Sequence, residues 1–384
     1  MKTYRIFKTV NSLPESWDTL ATHDIFLQTR YLKALEKGAP NNIQLYYIGI
    51  FKADVLVGIA IIQRVQLYLK DMFRNTTVSC FKDFLKDSVS KIIKGNILVV
   101  GNLMHSGQHG VYFQSKEIDF NTYLTLVYQA LKTLKKDIKT SDKKTIRAFV
   151  FKDYFLEDLI HNEDRFFTSN KLHKVSMQPK MIMLVRPHWN SFNDYILNLN
   201  KKYKLRYHRA RKKGYNILSE ELNIEALLKH QKTLFNLYLN VSNHASFNTF
   251  ILPENHFYSL KETLGENFKI FGYFLDGELI GFYSLILNNE NLETYFLGYD
   301  EAYQYKNQMY LNMLYDMATY GIDNKFSNIV YARTAMEIKS SVGAVPKPMQ
   351  VYMKHTNGLI NAILKQVFKL LNPKQDWVER HPFQ

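Results

Sequence analysis

The chain has 384 residues, 46% of them hydrophobic, and carries 50 Lys+Arg against 35 Asp+Glu, a formal net charge of +15. That length can form two cores of ordinary domain size, and the charge favours nucleic acid, an anionic membrane face or an acidic protein without choosing among them. Its one cysteine, Cys80, excludes an internal disulfide and a cysteine metal cluster and fits a reducing cytoplasm.

The opening MKTYRIFKTV has no apolar signal region, and the long apolar stretch YYIGIFKADVLVGIAIIQ is interrupted by Lys52 and Asp54, so neither a signal peptide nor a spanning helix is expected. Residues 47–63, YIGIFKADVLVGIAIIQ, read as a hairpin turning at Ala53-Asp54. An insert at about 68–95 alternates bulky apolar residues such as Phe81 and Phe84 with lysines, a pattern that suits a lid or contact with a membrane surface. A strand at 95–101 follows, then GNLMHSGQHG with His105 and His109. Their spacing is i,i+4, but Gly107 between them argues against a helix, no third ligand stands near, and no metal site is expected. An imidazole titrating near neutrality suits removal of a proton from an attacking amine; a hydrogen-bonded loop histidine is the other reading. A helix over 121–138 places Leu124, Val127, Leu131, Leu134 and Ile138 on one face, before a strand at 145–151.

The second half repeats this order. Hairpin 270–287 turns at Asp276-Gly277 and matches Gly281 to Gly58; a strand at 292–298 is matched to 95–101, a helix at 307–320 to 121–138 with Gly321 as its C-cap, and a strand at 327–333 to 145–151. Between equivalent glycines, taken as Gly101 and Gly298, the first copy is about 26 residues longer, which the insert supplies. The repeat predicts two α/β domains, 1–180 and 181–384, each a mixed central sheet flanked by helices, with polar HNEDRFFTSNK near the boundary.

Residues 191–214 read as one helix, opened by a Ser191/Asp194 capping box. KKYKLRYHRARKKG has eight cations and no carboxylate, while Tyr203, Tyr207 and Ala210 form its apolar stripe. Cations near a helix C-terminus favour its dipole, but eight exceed that need, which points to an anionic partner that Arg206, Arg209 and Lys213 would meet. Because the tyrosines lie on the buried stripe, they make poor base-stacking platforms. Thr334 and Glu337 are expected to form a second capping box. LINAILKQVFKLL, 359–371, is amphipathic, fitted to dock on the sheet or to touch a membrane.

The order hairpin, strand, helix, strand resembles the GNAT acyltransferase unit, and its repetition resembles the double-GNAT arrangement of Fem-type peptidyltransferases. SFNDYILNLNKKYKLRYHRARKKG, FGYFLDGELIGF, TYFLGYDEAYQYKNQMY and YARTAMEIKSSVGAVPKP resemble the GNAT-like family that includes bacterial lipid N-acyltransferases. The resemblance implies transfer of a fatty acyl group from a thioester of acyl carrier protein or coenzyme A to an amine, with no bound cofactor. A sphingoid base or sulfonated amine is the expected acceptor, and the cytoplasmic face of an anionic membrane the expected place. The alternatives are aminoacyl-tRNA-dependent transfer of Fem type in cell-wall synthesis, with the basic helix holding tRNA, and a non-catalytic adaptor for membrane or nucleic acid. His105 and His109 follow the strand that would line the cleft, and His244 lies where Fem-like chains line the acceptor side; these are the candidate proton acceptors. Arg333 and Lys339, with Glu337, would orient an anionic acceptor, and Tyr295 and Asp300 flank the thioester. The donor phosphate would meet Lys306, Asn307 and Gln308, where the usual glycine-rich turn is absent.

Overall fold

The computed structural model describes residues 1–67, 95–244, 248–371 and 377–383. The insert at 68–94, with the lid or membrane role expected of it, lies outside the described residues. The chain divides into two compact units: Met1–Met177 with Ala245–Leu252 and Pro348–Lys374, and Gln178–His244 with Pro253–Lys347 and Gln375–Gln384. Among the described residues, no helix is long and apolar enough to cross a membrane, and no His/Cys/Asp/Glu group is arranged to hold a metal.

In the first unit β1 (Lys2–Phe7), β2 (Ile43–Lys52), β3 (Val55–Leu67) and β4 (Gly95–Val100) pair antiparallel in that order, and a short β5 (Val111–Phe113) returns to β3. The next strand, β6 (Ile146–Phe155), runs parallel to β4, and the chain passes into the second unit within β7 (His173–Leu184), at Gln178. There β8 (Leu218–Glu221), β9 (Phe268–Leu275), β10 (Glu278–Asn288) and β11 (Asn291–Tyr299) pair antiparallel, and β12 (Asn328–Val330) runs parallel to β11. The last strand, β13 (Val345–His355), completes the count.

The hairpins form as read. Ala53 and Asp54, and likewise Asp276 and Gly277, all have positive φ, the type I′ pattern whose twist matches that of the flanking strands. Gly58 and Gly281 are equivalent in packing as well as in sequence. A Cβ on Gly58 would meet the Tyr123 ring at 3.0 Å, and one on Gly281 the Met309 methyl at 2.5 Å, so each lets a helix lie close on the hairpin. Helix Phe120–Ser141 buries all five residues expected of its face.

The first sheet is finished by a strand from the second half of the sequence, and the second by the end of β7. β13 pairs antiparallel with β6 through Met349–His355, and β7 pairs antiparallel with β12 through Ile182–Leu184. Consequently, 348–374 belongs to the first unit rather than to the second half, where the sequence placed it. Helix Gly358–Leu371 docks on that first-unit sheet, with Leu364 buried against Val175, Val351 and Met353. The polar HNEDRFFTSNK read near the boundary contributes to the first core: Phe166 and Phe167 are buried, and Phe167 stacks on Tyr352 of β13 at 3.6 Å.

Two helices differ from their sequence reading. The basic segment is split into Phe192–Asn198, which keeps the Ser191/Asp194 capping box, and Lys201–Lys213. The break comes where Leu199 bridges to Phe383 and the Asn200 N–H donates to the Pro382 carbonyl. Gly321 does not end its helix. It lies inside Met309–Asp323, where a Cβ would come within 2.4 Å of Ile329.

Residues 1–180 expressed alone should therefore fail to fold, because β6 lacks its antiparallel neighbour and Phe167 its stacking partner. A co-expressed 345–371 fragment should restore a cooperative thermal transition. An isolated 1–180 fragment with a sharp transition of its own would refute this dependence.

Candidate functional site

In the second unit, β10 and β11 keep register from Asn288↔Asn291 to Leu285↔Thr294 and resume it at Tyr283↔Leu297. Tyr295 and Phe296 thus both face Ser284, a β-bulge, and the Ser284 hydroxyl donates to the Phe296 carbonyl at 2.6 Å. A bulge bends its strand. Immediately before it the pairing with β12 ends, at Glu293↔Val330, and the two parallel strands diverge. Below the divergence Lys180 and Glu293 form a buried ion pair at 3.3 Å. At the bulge the Tyr295 hydroxyl lies 3.0 Å from Nε2 of fully buried His256. Helix Ile224–His244 covers β11 so closely that a Cβ on Gly298 would fall 2.4 Å from the Leu237 carbonyl carbon.

The first unit modifies the same position differently. Counting from the hairpin glycine, Ser284 corresponds to Ile61, and opposite Ile61 the strand β4–β5 leaves the sheet for the ten residues 101–110. Ile61 bonds both ends of this loop, accepting from Gly101 N–H and donating to the Gly110 carbonyl. The register shows that Gly298 matches Tyr112, so the matching of Gly101 to Gly298 is corrected, and the extra length of the first copy is shared between this loop and 68–94.

The loop is rigidly held. Lys152 Nζ donates to the His105 and Gly107 carbonyls, both at 3.0 Å, and pairs with buried Asp153 at 2.8 Å. His105 is buried against the Phe26 ring at 4.2 Å. His109 lies 5.0 Å from His105, and its Nδ1 is 2.8 Å from Oδ2 of buried Asp24. Burial alone would raise the Asp24 carboxyl; the charge and hydrogen bond of His109, with the Phe26 N–H, outweigh it and hold it below its usual value. A buried carboxylate on Nδ1 fixes an imidazole in the orientation a proton acceptor needs.

No family model matches the chain, and no curated protein does. Among solved structures, FemX matches with a TM-score of 0.54 at 10% identity, over 92% of this chain and 98% of its own. A tandem GNAT protein from the clavulanic acid biosynthesis pathway matches with 0.51 at 8% identity, over 93% and 99%. The chain has the tandem GNAT-like fold. In its second GNAT-like unit the bulge and the diverging parallel strands stand together; in its first, the loop takes their place.

The remaining predicted residues fall in several places. His244 is exposed at a helix end, 2.6 Å from the Asn240 carbonyl and 2.9 Å from Glu301. Asp300 caps helix Glu301–Asn307 by accepting from Ala302 N–H. Asn307 is buried and donates to the Lys213 carbonyl, Gln308 takes the left-handed turn between two helices, and Lys306 is exposed. The Thr334/Glu337 capping box does not form: Ala335, at φ 47°, precedes helix Met336–Ser340 without a side-chain cap, and Glu337 pairs with Arg380 instead. Arg206 and Glu337 line one cavity, described below, while Arg209 and Lys213 are exposed on the basic helix. Lys339 is buried and donates to the Arg333 carbonyl at 2.6 Å, bracing the turn where Ala332, Thr334 and Ala335 all have positive φ. It is placed to brace that turn rather than to meet a solvent-borne anion.

Sequence reasoning missed His256, Ser284 and Asp24. Only the register of β10 on β11 reveals the first two. Asp24 carried a local signal, since it precedes the apolar Ile25-Phe26-Leu27 turn and accepts from Phe26 N–H.

Burial lowers the Lys339 ammonium to about 7. From there up to the ordinary lysine range, about 10.4, the unfolded chain binds the proton that the folded chain has released, so this group makes stability rise with pH across that window. Denaturant unfolding at about pH 7 and about pH 9.5 should show this rise, and Lys339→Met should lose it. An equal pH slope in the variant would show that Lys339 is not the source.

Proposed function

We propose that the protein is an N-acyltransferase that moves an acyl group from a thioester to an amine. The supporting observation is the bulge at Tyr295–Phe296 where β11 parts from β12 in a tandem GNAT-like fold, an arrangement able to seat an extended thioester along a strand. In this reading the amine nitrogen attacks the thioester carbonyl, and a backbone N–H of β11 stabilises the oxyanion. The C–S bond then breaks, the thiolate takes the Tyr295 phenolic proton, and His256 restores it. The proton shed by the amine goes to His256, which closes the proton balance within the second unit, and the Asp24–His109 pair is a separate candidate proton acceptor of the first unit.

The acceptor is the amine of a lipid precursor, such as a sphingoid base or sulfonated amine, met at the inner face of the membrane. The donor is coenzyme A or an acyl carrier protein. The exposed cations Lys201, Arg209, Lys212 and Lys213 suit the acidic surface of a carrier. The likeness to FemX favours one second reading, transfer from an aminoacyl-tRNA, with the same cations on the RNA backbone.

Purified protein incubated with long-chain acyl thioesters and a sphingoid base should yield the amide by mass spectrometry. Amide formed from aminoacyl-tRNA alone would select the second reading, and no amide from any donor would defeat both. Tyr295→Phe should lower turnover by about 10²- to 10⁴-fold with donor affinity retained, and His109→Ala should do the same where the first unit carries the proton acceptor. Raising the pH from about 6 to about 9 should partly rescue His109→Ala, because more amine is then already neutral. Normal turnover in His109→Ala across that range would make the Asp24–His109 pair structural. Arg209→Glu with Lys213→Glu should slow transfer from the carrier protein more than from coenzyme A, and equal slowing would count against a carrier-docking role.

A further inference from the structure

The second unit holds a cavity of about 740 Å³, within the range of small-ligand sites. Three elements wall it: the start of the basic helix, the turn and helix at 335–338, and the C-terminal segment at 377–380. None of its lining residues belongs to the β11 bulge. The C-terminal segment is strapped in place, since Arg380 N–H donates to the Ser340 hydroxyl at 3.0 Å and Pro382 accepts from Asn200 N–H.

Charge in this cavity is unbalanced. Arg380 grips Glu337, with its Nε at 3.1 Å, which occupies the one carboxylate of the lining. Lys202 and Arg206 remain, and no carboxylate pairs with either among the described residues. They stand four residues apart on one helix, a spacing at which like charges repel and weaken the helix by roughly 0.2–0.5 kcal/mol. An anion between them removes that cost. The other walls are apolar or aromatic: Tyr203, Met336, Ile338 and Trp377. Trp377 is only part-buried, whereas Trp17 and Trp189 are buried in cores.

We propose that this cavity binds an organic phosphate, its oxyanion held by Lys202 and Arg206 and its apolar body lying on Met336, Ile338 and Trp377. The proposal rests on the cavity itself and stands independently of acyl transfer at the bulge. A phosphate offers several acceptor oxygens to two diverging cations, and a guanidinium binds it with directed hydrogen bonds. The body can be a soluble metabolite or the chain of a lipid, and the probes below separate the two.

Because the other two tryptophans are buried, ligand-dependent emission reports on Trp377, with Trp377→Phe as the silent control. The full-length protein is titrated at constant ionic strength with inorganic phosphate, phenyl phosphate and n-octyl phosphate, and with phosphatidic acid vesicles by sedimentation. Both organic phosphates should bind at least about tenfold more tightly than inorganic phosphate, and Lys202→Gln and Arg206→Gln should each weaken them about tenfold with unchanged melting temperature. Sedimentation with vesicles that is lost in the same variants assigns the source to a lipid headgroup; its absence, with octyl phosphate bound, assigns it to a soluble ligand. Equal affinity for all three phosphates, or undiminished binding in both variants, overturns the proposal.

Discussion

Opposite the residue three positions beyond the hairpin glycine, each sheet must accommodate extra chain. At Ser284 the surplus is one residue, so β11 keeps its pairing on both sides of the bulge and merely bends, and the bend carries it away from β12. At Ile61 ten residues stand opposite one, a surplus of nine, too many for a bend, and the chain closes them into a loop whose neck is Gly101 against Gly110. That neck tolerates no side chain, for a Cβ on Gly110 would lie 2.3 Å from the Gly101 Cα. One topological position therefore yields a diverging cleft in one unit and a polar, hydrogen-bonded loop in the other. Both outcomes gather ionisable groups: Lys180, Glu293, His256 and Tyr295 in the second unit, Asp24, His109, Lys152 and Asp153 in the first.

The placing of the closing strands follows from how a parallel pair is finished. β6 runs parallel to β4 and β12 to β11, and each then takes an antiparallel neighbour on its far side. The chain leaves β6 and supplies that neighbour to β12 as β7; β6 waits for β13, roughly two hundred residues later. Such a long-range closure raises contact order and defers completion of the first sheet until nearly the whole chain is available.

What was legible in the sequence was local. The hairpin turns at Ala53-Asp54 and Asp276-Gly277, the Gly58/Gly281 correspondence and the apolar face of Phe120–Ser141 depend on neighbours a few residues apart, and each appears where it was read. What failed was non-local or depended on dihedral angles. The basic segment breaks at 199–200 because residues 382–383 pair there, and Gly101 was matched to the wrong partner because a ten-residue excursion cannot be told from a strand end without register. Thr334 and Glu337 have capping-box spacing, but positive φ at Thr334 and Ala335 removes the extended cap geometry on which that box depends. His256 has no motif around it and acquires a role only once β11 brings Tyr295 to it.

The basic helix shows how one cluster of charge can be divided among tasks. Arg211 faces inward, pairs with Asp316 at 2.7 Å and lies over the Tyr207 and Tyr315 rings, and Asp316 in turn accepts from Tyr273. The helix end is held by side-chain amides: Asn312 donates to the Ala210 carbonyl at 2.9 Å and Asn307 to the Lys213 carbonyl at 3.1 Å. Those amides do what cations near a helix C-terminus otherwise do, so Lys212 and Lys213 are not required for capping. Asn307 is in turn committed to the helix, which leaves less of the segment once matched to a donor phosphate site able to meet one. Charge that neither folding nor capping uses remains at Lys202 and Arg206 beside the cavity and at Arg209 and Lys213 on the open face, and an uncompensated cation is most readily explained by an anion that binds it.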